Sequence, residues 1–438
     1  MDGRVGRQGL GSLSHPQDRA HTGQPIPPAA IAALRALRSG GVPACLLRAP
    51  GAHDGAGPEE VDILAADDPR LGPVLLSLGF VAVPAPGRGP HRFFLGYDEE
   101  RGEWLKLDVV VELAYGPHHE LPTHAARGCL ERARRGDGPG QLDVADELWT
   151  LLLHCLLDKG AIRADHAARL HELALAGPSG GALAAEVGPM LPHEWTSDRV
   201  VASARAGDWP ALVDLGEELR RRWTRGHPVA TRLRRLRSKA SRRLFRLLAG
   251  SRPRGCRVAL LGPDGAGKST VSARLVETVP LPATSVYAGL YPQGSRARRQ
   301  LPGTGLARKL VRLRSASVRA RLLELRGRLV VFDRYPYDAI LPTEGRTSAR
   351  SRLRRWLLAH SCSRPQLAIV LDAPAEVLFA RSGEHGVEAL EGQRRRYRAL
   401  ASRLELPTVD TDVEAEVVLR RVTGLVWNEY VRRAEGGR

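Results

Sequence analysis

The chain is expected to fold as α/β, with a parallel sheet carrying helices on both faces in its C-terminal half and a smaller α+β unit ahead of it. Three observations predict this. The stretch "LLGPDGAGKST", residues 260–270, matches G-x-x-x-x-G-K-[ST], the pattern of a phosphate-binding loop. A buried-strand pattern, "RVALL", runs into that loop, and a helical stretch, "STVSARLVETV", runs out of it. Further short β-branched or aromatic runs then alternate with helical stretches, as parallel strands joined by crossover helices require.

At 438 residues and 43% hydrophobic content the chain has material for two domains. The expected divisions are a disordered tail (1–28), an N-terminal domain (29–219), a basic linker (220–253) and a C-terminal domain (254–438). The net charge of +18 is unevenly spread. Residues 1–219 hold 20 Lys+Arg against 30 Asp+Glu, whereas residues 220–438 hold 46 against 18. A half so basic suits polyanionic ligands, although 61 of the 66 basic residues are Arg, as a GC-rich genome would also produce. Cys45, Cys129, Cys155, Cys256 and Cys362 are widely spaced with no C-x-x-C pair. That predicts free thiols in a reducing cytoplasm and argues against a zinc site. No apolar run approaches the ~18 residues of a membrane span, and no signal-type apolar region opens the chain.

In chain order, the Gly/Pro/His-rich first 28 residues are aperiodic. "VPACLLRAP" (42–50), "EEVDILAADD" (59–68), "GFVAV", "RFFLGY" and "WLKLDVVVEL" (104–113) read as strands. Side chains alternate along a strand, so Glu60 and Asp62 share a face. Asp108 sits in an apolar run, a costly place for a carboxylate without a cation. Three such carboxylates on adjacent strands could hold Mg²⁺. The order strand, loop, D-x-D-like pair and later Asp, followed by the helical stretch 147–174, resembles the minimal nucleotidyltransferase superfamily. The usual Gly-Ser after the first strand is missing, and Glu60 stands where that family has its first Asp. His154, His166 and His171 are spaced so that they do not share one helical face, and read as helix-surface residues.

Residues 220–254 carry 14 basic residues and no acid, with Leu233, Leu236, Ala240, Leu244 and Leu247 forming an apolar stripe at helical spacing. Such a helix either packs on a neighbouring domain with its arginines solvated, or lies on anionic membrane or nucleic acid. The expectation is packing, with the acidic N-terminal half as the surface it meets.

In the loop, glycines permit the positive-φ turns that aim successive amides at phosphate oxygens. Gly262, Pro263, Asp264, Gly265, Ala266, Gly267, Lys268, Ser269 and Thr270 are therefore the expected nucleotide-binding residues. Lys268 supplies a point charge, the following helix a positive N-terminal end, and Ser269 a hydroxyl for Mg²⁺. "TSVYAGLY", "LVVFDRYPYD", "QLAIVLDAP" and "LPTVDTD" supply four more strands, two of them ending on Asp333 and Asp372. No base-reading N-K-x-D occurs. Arg334 follows Asp333 where ATPases that hydrolyse place Glu; an arginine cannot act as a base but can hold a transferring phosphoryl group.

"GPDGAGKST", "DRYPYD", "LDAPAEVLFAR", "RRRYRALA" and "VDTD" together resemble the thymidylate kinase family of nucleoside monophosphate kinases, over about residues 254–438. The resemblance implies an ATP- and Mg²⁺-dependent kinase acting on a small-molecule acceptor. It implies that Asp264 faces the acceptor, that Ser269 and Asp333 manage Mg²⁺, that Lys268 and Arg334 neutralise the moving phosphoryl group, and that the segment from Arg381 through Arg396 is a shortened lid. The family's R-E-P-G-G-T-like stretch is replaced by "YAGLYPQGSRARRQ", and only 64 residues lie between Lys268 and Asp333, so the acceptor is left open. The alternatives are an ATP-sensing or assembly module that turns nothing over, and nucleotidyl transfer through Glu60, Asp62 and Asp108. A homodimer is among the assemblies the sequence allows.

Overall fold

The computed structural model describes residues 26–48, 58–134, 140–247, 255–289, 305–341, 348–383 and 385–436. Most of the expected tail, and the loop that follows the first strand, lie outside them.

The strands of the N-terminal half are β1 (Ala44–Leu46), β2 (Glu59–Ala65), β3 (Val81–Val83), β4 (His91–Asp98) and β5 (Glu103–Val110), followed by a small pair, β6 (Ala114–Tyr115) and β7 (Leu121–Pro122). The first five form one mixed sheet in the order β1-β2-β5-β4-β3. The β2/β5 pair at its centre is parallel, with Asp62 opposite Asp108 and Glu60 opposite Lys106. Val61 and Ile63 face one core, packed under the helices Pro28–Ser39 and Leu71–Ser77. Leu64 and Val110 contribute to a second core, made by the helices Val144–Leu153, Ala164–Ala176, Ser197–Ala206 and Trp209–Gly226.

The C-terminal half contains β8 (Arg257–Leu261), β9 (Ala283–Tyr287), β10 (Leu329–Asp333), β11 (Leu367–Asp372) and β12 (Thr408–Asp410). They form a parallel sheet in the order β12-β11-β8-β10-β9. Every residue of β8 and β10 is buried, as strands covered on both faces must be. Alternation then sorts them. Val258, Leu260 and Val331 meet the helices Lys268–Thr278 and Ala415–Gly436 on one side; Ala259, Leu261, Val330 and Phe332 meet Gly305–Leu325 and Val387–Leu404 on the other. Arg257 and Glu324 brace this sheet from beneath. The Arg257 Nε lies 2.7 Å from Glu324 Oε2, an ion pair by distance although its angle is off hydrogen-bond geometry, and Arg433 reaches the other oxygen at 3.2 Å. Glu324→Gln would leave Arg257, whose side chain is 4% exposed, as an uncompensated buried charge. It is expected to cost about 3–5 kcal/mol, read as a lower urea midpoint with activity at low temperature retained.

The two sheets share a core. Leu76, Val81 and Leu95 pack with Val258, Leu260 and Trp427, the Trp427 indole donates to the Gly79 carbonyl at 3.0 Å, and Trp104 meets Trp427 edge to face at 5.1 Å. The basic segment forms the helix Pro228–Leu247 and does dock on the N-terminal half, but through the face opposite to the one expected. Arg235 pairs with buried Glu120 at 2.8 Å, Ser238 donates to the Gly87 carbonyl at 2.7 Å, and Thr231 is buried, whereas Leu233, Leu236 and Leu244 are exposed. The expectation that the leucine stripe packs is therefore corrected. A buried carboxylate and an unpaired turn carbonyl attract guanidinium and hydroxyl groups more strongly than leucine.

The cysteines are free and buried. No helix among the described residues is long and apolar enough to cross a membrane.

Candidate functional site

The phosphate loop joins β8 to the helix Lys268–Thr278. Gly262 (φ 143°) and Gly265 (φ 84°) adopt backbone angles that side chains resist. A Cβ at Gly262 would lie 2.3 Å from the Leu371 carbonyl oxygen, and one at Gly265 2.5 Å from that of Leu378. Both glycines are thus needed for conformation and for clearance from β11 and the helix Ala375–Ser382. Lys268 is 7% exposed, and its ammonium donates to the carbonyls of Gly262 at 2.8 Å and Pro263 at 2.6 Å. Burial lowers its pKa from the ordinary lysine value, opposed chiefly by the nearby Asp264 carboxylate.

Strand register brings the second half of the site to the loop. Asp333, the last residue of β10, stands opposite Leu260 of β8 and Tyr287 of β9. Ser269 donates to Asp333 Oδ2 at 2.9 Å. The other oxygen, Oδ1, is buried with no hydrogen-bond partner. A carboxylate oxygen so exempted from pairing, beside a hydroxyl, is a hard-oxygen donor set that fits Mg²⁺.

Asp264 places a carboxylate in a loop built for anions, and its charge is met by pairing. Its Oδ1 accepts from Arg334 at 3.1 Å, and its Oδ2 lies 3.6 Å from His385 Nε2. Arg334 holds φ at 72°, a left-handed conformation uncommon for arginine, which turns its side chain off the end of β10 toward the loop. The carboxylate is therefore held against the Arg334 guanidinium rather than left unopposed in the loop.

Several partners were not legible in sequence. Asp372, ending β11, accepts from Arg394 and Arg398, each at 2.9 Å, anchoring the helix Val387–Leu404 to the strand end. Gln393 of that helix accepts from the Asp264 amide at 3.3 Å. Tyr397 donates to Asp338 at 2.8 Å, and burial raises the pKa of that carboxyl above the usual range against this bond. Arg381 donates to the Thr411 carbonyl at 3.0 Å and helps line a cavity of about 260 Å³ with Gly267, Thr270, Arg274 and Val418. The sequence marked Asp372 as a strand-end carboxylate and residues 381–396 as a lid-like segment, but gave no sign of these pairings.

Glu60, Asp62 and Asp108 are also brought together, with one ligand oxygen of each within 4.8 Å of the others, and Glu60 and Asp108 line a larger cavity of about 520 Å³. Each already has a partner: Lys106 on Glu60 at 2.9 Å, Arg48 on Asp62 at 2.6 Å and the His91 ring on Asp108 at 2.8 Å. The cost of placing Asp108 mid-strand is met by His91. The buried carboxylate oxygen without a partner and the buried ammonium both lie at the phosphate loop, on Asp333 and Lys268. His154 bonds Asp158 at 2.7 Å, His166 lies 3.3 Å from the Cys155 sulfur, and His171 lies near the Ala204 carbonyl. Among the described residues these histidines form no metal-binding group.

No protein-family model matches the chain. Curated proteins named thymidylate kinase from two Xanthomonas oryzae pv. oryzae strains, PXO99A and MAFF 311018, are each 27% identical over 204 residues, covering 42% of this chain and 88% of theirs. A solved structure of the thymidylate kinase from Candida albicans aligns with 41% of this chain and 94% of its own, at 16% identity and a TM-score of 0.30. With its phosphate loop leading a parallel sheet and its sequence likeness to those bacterial kinases, the C-terminal half of this chain is a thymidylate kinase-like P-loop kinase region.

Proposed function

We propose that the C-terminal half transfers the γ-phosphoryl group of ATP to a nucleoside monophosphate or another small acceptor. The observation that carries this reading is the meeting of the loop with Asp333 and Arg334: Ser269 on one Asp333 oxygen, Arg334 on Asp264. In this reading an acceptor oxygen attacks Pγ, the bond from Pγ to the bridging oxygen breaks, and ADP leaves. Charge spreads over the equatorial oxygens, and catalysis consists of positioning and neutralising them. Lys268, freed from the loop carbonyls, and Arg334 would face that charge. Ser269 and Asp333 would hold Mg²⁺, which would supply positive charge against the phosphates. The adenine base would take the apolar cavity beside Arg381 and Thr411.

Asp264 would orient the acceptor, its hydrogen-bonding capacity beyond the Arg334 contact turned to an acceptor hydroxyl. Asp264→Asn is expected to raise the acceptor KM roughly tenfold or more while leaving the ATP KM within about twofold. Unchanged acceptor kinetics would remove Asp264 from this role. The founding test is transfer from γ-labelled ATP with Mg²⁺ to nucleoside monophosphates, nucleosides and extracted small metabolites, with Lys268→Ala as control. Labelled dTDP from dTMP would identify a thymidylate kinase, and label elsewhere would name another acceptor. ATP binding with no Lys268-dependent label would instead indicate a sensing or assembly module.

A second reading rests on the convergence of Glu60, Asp62 and Asp108 beside the 520 Å³ cavity. There Glu60, Asp62 and Asp108, once released from Lys106 and Arg48, would hold a divalent cation of the kind that supports nucleotidyl transfer. Mg²⁺-dependent pyrophosphate release that survives Lys268→Ala would favour it, and its loss in Lys268→Ala would not.

A further inference from the structure

The helix Pro228–Leu247 carries eight basic residues and no acid. One face is committed to the protein: Thr231 is buried, Arg235 pairs with Glu120, and Ser238 and Arg242 donate to the Gly87 carbonyl at 2.7 and 2.9 Å. At about 100° per residue, Val229, Leu233, Leu236, Ala240 and Leu244 fall within an arc of about 80° on the opposite side. Their exposure is high: Val229 79%, Leu233 64%, Leu236 56% and Leu244 55%. Exposed Arg232, Lys239 and Arg243 border one edge of this stripe, and exposed Arg237 borders the other.

We propose that this outward face lies on an anionic membrane surface, with the apolar stripe sunk to the headgroup–acyl boundary and the flanking cations on lipid phosphates and carboxylates. Charge selects the occupant. A second copy docked through this face would set Arg232, Arg237, Lys239 and Arg243 against their like with no acid on the helix to pair them, and so would repel itself. A nucleic-acid backbone would satisfy the arginines but leave four large apolar side chains against a polyanion. A lipid surface satisfies both at once. The helix is already held by its inner face, so binding needs no refolding of the segment and little loss of conformational freedom.

The test uses the full chain, sedimented with vesicles of phosphatidylcholine alone and of phosphatidylcholine with phosphatidylserine. Binding is expected only to the second, weakening with salt. Leu233→Glu with Leu236→Glu should lower the partition coefficient by about tenfold or more. Arg237→Glu with Arg243→Glu should lower it by at least roughly fivefold per site. These positions are exposed, so the thermal midpoint should not move. As a direct probe, Leu236→Trp should shift its emission to the blue on serine-containing vesicles. The proposal is overturned by absence of vesicle binding, or by equal binding of the Leu233→Glu/Leu236→Glu protein. It is equally overturned by a dimer in light scattering that the same pair dissolves, or by duplex DNA or RNA binding with no blue shift of Leu236→Trp on vesicles.

Discussion

Lys268→Ala is expected to lower transfer from γ-labelled ATP at least about a thousandfold. The ammonium is nearly excluded from water, with its charge held by two loop carbonyls at 2.8 and 2.6 Å. In so dry a site a single cation facing developing phosphate charge acts through a low effective dielectric, and no solvent reorganisation accompanies the reaction. Alanine removes the charge and leaves the helix Lys268–Thr278 a good helix-forming residue, so the fold should persist. ATP affinity should fall by far less than the transfer rate. Single-turnover rates measured with saturating ATP separate the two, and a rate within tenfold of the parent chain's would contradict the assigned role.

Arg334→Ala is expected to lower the same rate about a hundred- to a thousandfold. This arginine sits at the end of β10 in a left-handed conformation, pointing its fork at the loop and pairing with Asp264. Lysine cannot reproduce that fork, so Arg334→Lys should recover only a small part of the loss. Asp264 and Arg334 touch, so their effects should be strongly non-additive. With Asp264→Asn already in place, Arg334→Ala should cost markedly less in acceptor KM than it does alone. Additive losses would mean that the ion pair is a structural brace rather than part of acceptor binding.

Much of the fold was readable from the chain alone because the signals were local. "RVALL" and "LVVFD" are continuous apolar runs of strand length, and both became fully buried strands, β8 and β10. The loop was readable because its glycines, lysine and serine are contiguous, and contiguity needs no tertiary information. The convergence of Glu60, Asp62 and Asp108 was partly readable. Alternation puts Glu60 and Asp62 on one face, but only the parallel register of β2 with β5 sets Asp62 opposite Asp108.

The linker shows the limit most directly. Periodicity established that Leu233, Leu236 and Leu244 share a face of the helix, and the structure keeps that face intact. It could not say which face meets the protein. That depended on Glu120 and the Gly87 carbonyl, more than a hundred residues away, which take hydrogen-bond donors such as guanidinium and hydroxyl groups and not leucine.

The amino-acid sequence by itself determined the parallel α/β half, the phosphate loop, the charge asymmetry and the amphipathic pattern of the linker, since each is written within a single strand, turn or helix. The tertiary structure alone decided that Arg334 meets Asp264, that Asp333 keeps one oxygen unpaired, that Arg394 and Arg398 close on Asp372, and that the leucines of the linker face outward. Those outcomes depend on register and on competition among distant polar groups for the same buried partner, and neither is encoded in the spacing of neighbouring residues.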